Sequence, residues 1–546
     1  MESPRMRLPL ALVVLVSMAV VAVWAWLGQP VPAPVSPLAA GEKLPCVSYA
    51  PFRPGQSPFS EDVAFSPAQI DDDLARLSKI TRCVRTYSSI QAGLSAVPEL
   101  ARKHGLTVLQ GIWIAADPVR NRREIEGGIK AAQENPDVVK AVIVGNEVLL
   151  RGEQSANDIA GFLKEVKAKI PAGVDVTYAD VWEFWERNRG LADSVDFVTV
   201  HILPFWEDMP VAAEDSVAHL GEIREHVGEI FPGKDILIGE TGWPSEGRMR
   251  EGALPSPSNQ ANVIQELLAL SKAKNYRLNV IEAFDQPWKR VLEGTVGGHW
   301  GFLDAYTREF KFTWGEPVSD HPYWKLQALI GVTFAASVFA VAGYSGRRAG
   351  GRPLGMREWS AVAGIAFFAG LMIGRLLATV PAESLGVGGW IRGGALVGLA
   401  LLVPLSCAAA IGRRARLVTL TLALNSEATP GAPFFDRCLA LLLAASLVLA
   451  AQIGFGLVFD PRYKDFQFAG LTPIVAAFAF YAAVAGPGRF SEGRHAEKMA
   501  AVLFLGAGTY VALNETLANW QALWTGSLFV VLAFTLWRLA TAGRRR

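Results

Sequence analysis

The chain of 546 residues lacks several features that define common protein classes. It has only four cysteines, and neither a CxxC pair nor a Cys/His cluster with the spacing of a structural zinc site. Its formal net charge is +1, so nucleic acid is not an expected partner. These absences argue against a zinc-stabilised module and a basic nucleic-acid-binding protein. We expect no cofactor and no metal.

Charge is also scarce at the amino terminus. Residues 8–27 form an apolar run of about 20 residues behind Arg5 and Arg7, which is long enough to cross a bilayer. A cleaved signal peptide has a shorter apolar core and a small-residue cleavage site, and neither is evident. We therefore predict an uncleaved signal-anchor helix over residues 1–28, with a cleaved signal peptide as the alternative. The Pro- and Ala-rich residues 29–43 are typical of an extended linker.

Long apolar blocks return in the last part of the chain, which predicts a membrane domain of about seven transmembrane helices over residues 325–546. The blocks span about 326–345, 359–379, 389–411, 438–459, 468–486, 498–514 and 520–540. Basic residues cluster in alternate connections: Arg347, Arg348, Arg352, Arg357, Arg413, Arg414, Arg416, Arg437, Arg489, Arg494, Lys498 and Arg544 to Arg546. This positive-inside pattern predicts that residues 44–317 lie outside the cytoplasm and that the carboxyl terminus lies inside.

Residues 44–317 show a different rhythm, in which short apolar stretches alternate with amphipathic ones. The candidate strands are Cys46–Ala50, Cys83–Tyr87, Thr107–Trp113, Ala141–Glu147, Asp175–Ala179, Phe197–His201, Ile236–Glu240 and Asn279–Phe284. Eight βα units over this length predict an α/β fold, a (β/α)8 TIM barrel, followed by the all-α polytopic membrane domain. A doubly wound open sheet is the alternative. It usually has a Gly-rich phosphate loop after its first strand, and Tyr49 to Phe52 do not resemble one.

Two cysteines open the first and second candidate strands. Cys46 and Cys83 would be close if these strands are parallel neighbours, and an oxidising compartment would allow them to pair. Bridges between adjacent parallel strands are often strained. A disulfide and two buried free thiols therefore remain equal alternatives.

Two carboxylates end apolar strands, and this pattern indicates the chemistry of the site. Glu147 ends the fourth candidate strand and Glu240 the seventh, so a barrel places them on opposite sides of its carboxyl-terminal mouth. Two carboxylates that face each other across a cleft are the groups that glycosidic bond cleavage requires. Either glutamate alone is equally compatible with a structural carboxylate.

The flanking motifs resemble glycoside hydrolase family 17, the β-1,3-glucanases and glucan transglycosylases. The resemblance covers about residues 44–315 and is carried by VGNEV (144–148), IGETGWPSEG (238–247), EAFDQPWK (282–289) and GGHWGFLDA (297–305), with support from SYAPF (48–52), RTYSS (85–89) and DFVTVHILPFWE (196–207). It implies a retaining mechanism, with Glu147 as general acid/base and Glu240 as nucleophile. It also implies a bacterial, membrane-anchored form associated with β-1,3/β-1,6-glucan synthesis.

The neighbouring residues are predicted to bind substrate. They are Asn146, Tyr87, Tyr178, His201, Trp243, Gln286, Trp288, Lys289 and Trp300. Asn146 is placed to bond the hydroxyl beside the anomeric centre, and Tyr87 to orient Glu240. Core packing or structural hydrogen bonds are alternatives for the tryptophans and for His201. Gln286 departs from the family pattern, because related sequences often have Glu there, and this puts the properties of one subsite in doubt.

We therefore expect a membrane-anchored retaining enzyme that cleaves β-1,3-glucosidic bonds and transfers the glucosyl chain to another glucan, by elongation, β-1,6 branching or cyclisation. Its expected partners are β-1,3- or β-1,3/1,6-glucan, the lipid bilayer and a membrane glucan synthase. The expected location is the inner membrane, multi-pass, with a periplasmic catalytic domain. The alternatives are a simple hydrolase, an accessory subunit of a glucan synthase or exporter, and a non-catalytic glucan sensor.

Overall fold

The computed structural model describes residues 4–60, 65–350, 352–424, 431–488 and 495–542. The described residues form two compact units. One unit consists of Val31–Gly247 and Gly252–Val318 and contains the strands. The other, called here the helical unit, consists of Met1–Pro30, Arg248–Glu251 and Ser319–Arg546.

Eight parallel strands close into a barrel in sequence order, as the sequence predicts. They are β1 (Val47–Ser48), β2 (Cys83–Arg85), β3 (Thr107–Ile112), β4 (Val139–Asn146), β5 (Asp175–Val181), β6 (Val198–His201), β7 (Ile236–Thr241) and β8 (Arg277–Val280). Pairing of β1 with β8, through Val47 and Val280, completes the ring. The prediction for β8 ran on to Phe284, but the strand ends at Val280. Beyond it Phe284 bridges instead to Leu303, outside the named strands.

Helices surround the barrel. In chain order they are α2 (Pro67–Leu77), α3 (Val97–Lys103), α4 (Pro118–Glu134), α5 (Ala156–Lys169), α6 (Trp182–Arg187), α7 (Ala213–Ile230), α8 (Pro257–Lys274) and α9 (Arg290–Gly297), after the amino-terminal α1 (Pro4–Leu27). Capping residues fix several starts. Ser66, Asp117 and Ser256 each accept a hydrogen bond from a first-turn amide and are each followed by proline, whose fixed φ suits the first helical position.

The barrel interior follows from the alternation of side chains along each strand. One buried cluster contains Cys46, Cys83, Leu109, Ala141, Ile143, Ala179, Phe197 and Leu237. Their strand neighbours, such as Val108, Val142 and Ile236, belong to the larger cluster between strands and helices. The inner cluster therefore fills the barrel. Within it, Cys46 and Cys83 form a disulfide, which decides between the two alternatives that the sequence leaves open.

The helical unit contains the predicted apolar blocks as helices. They are α10 (Trp324–Arg348), α11 (Met356–Glu383), α12 (Gly386–Arg413), the short α13 (Leu420–Leu424), α14 (Phe434–Phe459), α15 (Phe468–Val484), α16 (His495–Asn514) and α17 (Trp520–Thr541). Among the described residues, seven helices including α1 are long and apolar enough to span a membrane, and α15 is a shorter apolar helix. Arg489, Arg494 and the three carboxyl-terminal arginines, which support the predicted orientation, lie outside the described residues.

Candidate active site

The two predicted acids lie at the carboxyl-terminal mouth of the barrel. Glu240 is near the end of β7, and Glu147 directly follows β4. Glu147 has a φ of 53°, in the left-handed region, and its amide donates to the Ala179 carbonyl at 2.8 Å. Carboxylate oxygens of both glutamates and a ring nitrogen of His201 all lie within 4.8 Å of one another. The barrel thus brings together acids from strands that are distant in the sequence.

Arg85, the last residue of β2, holds Glu240 in place. Its Nη1 donates to Glu240 Oε1 at 2.5 Å and to the Gly239 carbonyl at 3.2 Å, and its Nη2 donates to Asn146 Oδ1. Arg85 is 1% exposed and Glu240 5% exposed. A buried, charge-assisted pair of this kind fixes the orientation of the carboxylate and compensates its burial.

Asn146 links this pair to His201. Its Oδ1 accepts from Arg85, and His201 Nε2 lies 3.1 Å from the same oxygen. Burial lowers the pKa of His201 to about 4, so the ring is neutral near pH 7. A neutral ring that donates from Nε2 has a bare Nδ1, and Nδ1 is buried with no hydrogen-bond partner among the described residues. With Oδ1 occupied twice, Asn146 Nδ2 donates to no group among the described residues, so its hydrogens can serve a ligand.

The two glutamates are pushed toward opposite protonation states. Burial, the charge of Glu240 and the charge of Asp180 raise the pKa of Glu147. Burial also disfavours the charged form of Glu240, but the charges of His201, Arg85 and Lys289 together hold its pKa below the usual range. Since His201 is neutral above about pH 4, Arg85 and Lys289 supply that effect near pH 7. The site therefore contains one protonated and one ionised carboxyl, which is the pairing that acid and nucleophile roles need.

A polar layer lies behind Glu147. Tyr178 is fully buried, donates its hydroxyl hydrogen to Asp180 and accepts from the Leu149 amide at 3.0 Å. Arg151 donates to the Asn146 carbonyl and, at 2.8 Å, to the Ile114 carbonyl. These contacts fix the turn that carries Glu147. Tyr178, predicted as a substrate residue, thus has its hydroxyl engaged with the protein.

A second layer lies beside Glu240. Lys289 Nζ donates to Glu282 Oε1 at 2.8 Å, and burial raises the pKa of Glu282 to about 7. Glu293, on α9, is also buried enough to raise its pKa, and its charge acts on both Glu147 and Glu240. Lys289, predicted as a substrate residue, is therefore an electrostatic neighbour of Glu240.

The predicted aromatic residues divide by exposure. Trp243 and Trp300 are buried in one core cluster, and Trp243 Nε1 donates to the Leu254 carbonyl at 3.0 Å. Trp288 is half-buried, and its Nε1 donates to Gln286 Oε1 at 2.8 Å. Gln286 is itself buried and donates to the Ala50 carbonyl at 3.0 Å. Of these tryptophans, Trp288 presents surface on which a sugar ring can stack.

Tyr87 lies beside the Arg85–Glu240 pair. The Arg85 guanidinium carbon is 4.8 Å from the centre of its ring. Burial and the nearby charge of Glu240 raise the pKa of Tyr87. Its hydroxyl is buried and donates no hydrogen bond to Glu240, so the predicted bond is not made in this structure. Tyr87 therefore forms an uncharged wall of the site next to Glu240, the proposed nucleophile.

Arg85 and Asp180 are the residues that the sequence prediction missed. Arg85 stands within the RTYSS motif that supports the family resemblance, but the strand was expected to run on to Tyr87. The strand ends at Arg85, whose side chain reaches Glu240 at the mouth of the barrel. An arginine at the end of an otherwise apolar strand was the available signal. Asp180 lies inside β5, and a charged residue in an otherwise mostly apolar strand was the corresponding signal for it.

Glu147, His201 and Glu240 are close enough together to hold a cation geometrically. Two of the three are already engaged: Glu240 Oε1 is paired with Arg85, and His201 Nε2 faces Asn146 Oδ1. A metal ion would compete with the guanidinium for the same oxygen. The donor set therefore suits two-carboxylate chemistry better than metal binding.

The similarities to known proteins cover the barrel. Residues 46–301 match the BtgE/BtgC glycoside hydrolase domain. The barrel thus carries a domain of the glycosidase or transglycosylase type, which confirms the predicted enzyme class. The probable beta-glucosidase btgE of Aspergillus fumigatus is 28% identical over 265 residues, which are 48% of this chain and 45% of that protein. The chain therefore spans about half the length of the curated relatives that it matches first.

Two further similarities involve most of the other protein. The glucan 1,3-beta-glucosidase of Arthroderma benhamiae is 28% identical over 257 residues, which are 44% of this chain and 82% of that protein. The solved glycoside hydrolase family 17 beta-1,3-glucanosyltransferase from Rhizomucor miehei has 26% identity and a TM-score of 0.44, covering 50% of this chain and 98% of that one. In each case the matched part is about half of this chain.

Proposed function

We propose that this protein is a retaining β-glucan-active enzyme in which Glu147 is the general acid/base and Glu240 the nucleophile. One observation carries the proposal: the carboxylate oxygens lie within 4.8 Å of each other. Retaining glycosidases hold their carboxyls about 5–5.5 Å apart, whereas inverting enzymes leave about 6.5–9.5 Å for a water molecule. The opposite pKa shifts of the two glutamates support this division of roles.

The proposed reaction has two steps. Glu240 attacks the anomeric carbon while the protonated Glu147 gives its proton to the leaving glycosidic oxygen, and a glucosyl ester forms on Glu240. Glu147, now ionised, then takes a proton from the acceptor hydroxyl that displaces the ester. Asn146 offers its free Nδ2 hydrogens to the sugar hydroxyl beside the reacting carbon. Arg85 keeps Glu240 ionised and oriented.

We propose that the acceptor is another β-1,3- or β-1,3/1,6-glucan, so that the enzyme remodels glucan at the membrane. The apolar helices support tethering, and a tethered enzyme is suited to a polymer made by the same cell. We propose a membrane glucan synthase as its neighbour. The relatives named as glucosidases favour a second outcome, in which water is the acceptor and the enzyme is a hydrolase.

One incubation separates these outcomes. The full-length protein, in detergent or in nanodiscs, is mixed with β-1,3-gluco-oligosaccharides of one length, and the product masses and linkages are measured. Products longer than the input indicate transfer, and only shorter ones indicate hydrolysis. Identical, unchanged input with the wild type and with Glu240→Gln would reject the enzyme proposal. A 2-deoxy-2-fluoroglucosyl fluoride should label the peptide that contains Glu240.

We further propose an inner-membrane protein with residues 1–28 as anchor, residues 44–317 as an extracytoplasmic catalytic domain and residues 325–546 as a membrane domain. The positive-inside pattern supports this orientation, and the Cys46–Cys83 disulfide suits an oxidising compartment. External protease added to spheroplasts should remove the catalytic domain and spare an epitope at the carboxyl terminus. Protection of the catalytic domain would reverse the orientation.

A further inference from the structure

The segment that follows the nucleophile strand belongs to the helical unit. Arg248–Glu251 clusters with this unit, although the residues on both sides, up to Gly247 and from Gly252, cluster with the barrel. Arg248 is 2% exposed, Met249 5% and Arg250 9%. Burying an unpaired charge costs free energy, so the buried charged side chains of this short loop are expected to have partners.

Arg248 is held by a buried ion pair within the helical unit. Its Nη2 donates to Glu515 Oε1, and its Nη1 donates to the Lys464 carbonyl at 3.0 Å. Its guanidinium carbon also lies 4.6 Å from the centre of the Phe466 ring. Glu515 is 7% exposed, so both charges of the pair are withdrawn from solvent.

The backbone of the segment is fixed as firmly as the side chain. The Met249 amide donates to Gln521 Oε1 at 2.9 Å, and the Met249 carbonyl accepts from Asn519 Nδ2 at 3.0 Å. Glu515 Oε2 accepts from Asn519 Nδ2 at 2.8 Å and from the Glu251 amide at 3.3 Å. These partners lie between α14 and α15 and around the turn from α16 to α17. Both connections are ones that the charge pattern places on the same side as residues 44–317.

The residue that precedes the segment packs tightly against α9. Gly247, the preceding residue, has a φ of 118° and packs so closely that a Cβ there would lie 2.5 Å from Val296 Cγ2. Val296 belongs to α9, and Glu293 lies three residues earlier in α9, on the other side of a kink at Gly294. The charge of Glu293 acts on Glu147 and Glu240. Because the packing at Gly247 is this close, a displacement of Arg248 would press on Val296, three residues from Glu293.

We propose that the helical unit positions the active-site loop after β7 through the Arg248–Glu515 pair, so that the enzyme reaches full activity only when Arg248–Glu251 is held. Arg248 and Glu515 are then positioning residues that touch no substrate. The activity part of this inference rests on the proposed function, whereas the holding of the segment does not.

The test uses the full-length protein in nanodiscs and two independent readouts. Trypsin cleaves after arginine, so the rates of cutting after Arg248 and Arg250 report release of the segment. Glu515→Gln should increase cutting about tenfold, reduce kcat about tenfold with KM changed less than about twofold, and displace the basic limb of the pH–rate profile. Glu358→Gln is the matched control: it removes an acid of the same unit, 3.7 Å from Arg414 and with no contact to Arg248–Glu251 among the described residues, and should leave all of these values unchanged.

Glu515→Gln leaves Arg248 buried without its partner, which can unfold the unit. The double variant Arg248→Met, Glu515→Gln removes both charges and should show the faster cut after Arg250 in a protein that remains monodisperse. Cutting at the wild-type rate in both variants would overturn the inference. Faster cutting with wild-type kcat, KM and pH profile would overturn the positioning role. If the wild type acts on no β-glucan, the proposed function fails, and the proteolysis alone decides whether the segment is held.

Discussion

The barrel and the helical unit each contain a buried Arg–Glu pair, and the two pairs differ in what else bonds the carboxylate. Glu515 accepts from Arg248, Asn519 and the Glu251 amide, so both of its oxygens are engaged. Glu240 accepts from Arg85 through Oε1, while no hydrogen bond to Oε2 occurs among the described residues. A saturated carboxylate holds structure, whereas a carboxylate with one free oxygen can attack a substrate. Burial alone does not distinguish them.

The largest loss of activity should come from replacing the Glu240 carboxylate, whose Oε2 is the proposed attacking oxygen. Glu240→Gln keeps the volume and an oxygen for Arg85 but abolishes the nucleophile, so we expect kcat on β-1,3-gluco-oligosaccharides to fall at least about 10³-fold. Residual activity above about a tenth of the wild type would mean that Glu240 is not the nucleophile. Glu225→Gln, in an exposed pair with Lys274, is the matched control and should retain full activity.

The next effect should come from the partner acid. Glu147→Gln removes the proton donor, and general acid–base catalysis contributes about 10²–10⁴-fold. We expect a loss in this range on glucan, but a much smaller loss of the first step on an aryl β-glucoside, whose leaving group needs little protonation. Equal losses on both substrates would contradict the acid role. The basic limb of the wild-type pH profile should also lie above the usual range of a glutamate, because the raised pKa keeps Glu147 protonated.

Arg85→Gln tests whether the Arg85–Glu240 pair acts on catalysis in a different way from the Arg248–Glu515 pair. The guanidinium lowers the pKa of Glu240, and the carboxylate must be ionised to attack. Without it the pKa rises, so the acid limb of the pH–rate profile should move to higher pH, and kcat at neutral pH should fall about 10²-fold. The corresponding change in the helical unit, Glu515→Gln, should leave the acid limb in place. A common shift in both variants would show that the two pairs act on the same group.

The sequence allowed both catalytic candidates and the barrel to be predicted, because each depends on local pattern. An acid at the end of an apolar run marks a strand end, and eight such runs mark the fold. The partners could not be predicted. Arg85 meets Glu240 across 155 residues, and Arg248 meets Glu515 across 267. Residues so far apart produce no periodic pattern in the sequence, because the pairs form only in the tertiary structure.

Asp180→Asn should give a smaller, diagnostic shift. The charge of Asp180 is one cause of the raised pKa of Glu147, after burial and the charge of Glu240. Its removal lowers that pKa. Since Glu147 must be protonated to act, activity should then be lost at lower pH, and the basic limb of the pH–rate profile should move to lower pH. An unchanged basic limb would indicate that Tyr178 already shields Asp180 from Glu147.

The smallest effect is expected where an arginine pair has good geometry but remains exposed. Arg102 Nε and Nη2 donate to Asp137 Oδ2 and Oδ1 at 2.7 and 2.6 Å, which is a two-point contact, whereas each buried pair has one guanidinium–carboxylate contact. Water screens this pair, so Asp137→Asn should leave Tm within about 2 °C of the wild type and leave kcat unchanged. Glu515→Gln, measured in the same way, should lower Tm by more. Equal effects would mean that contact geometry, rather than exclusion of water, gives the Arg248–Glu515 pair its hold on the loop.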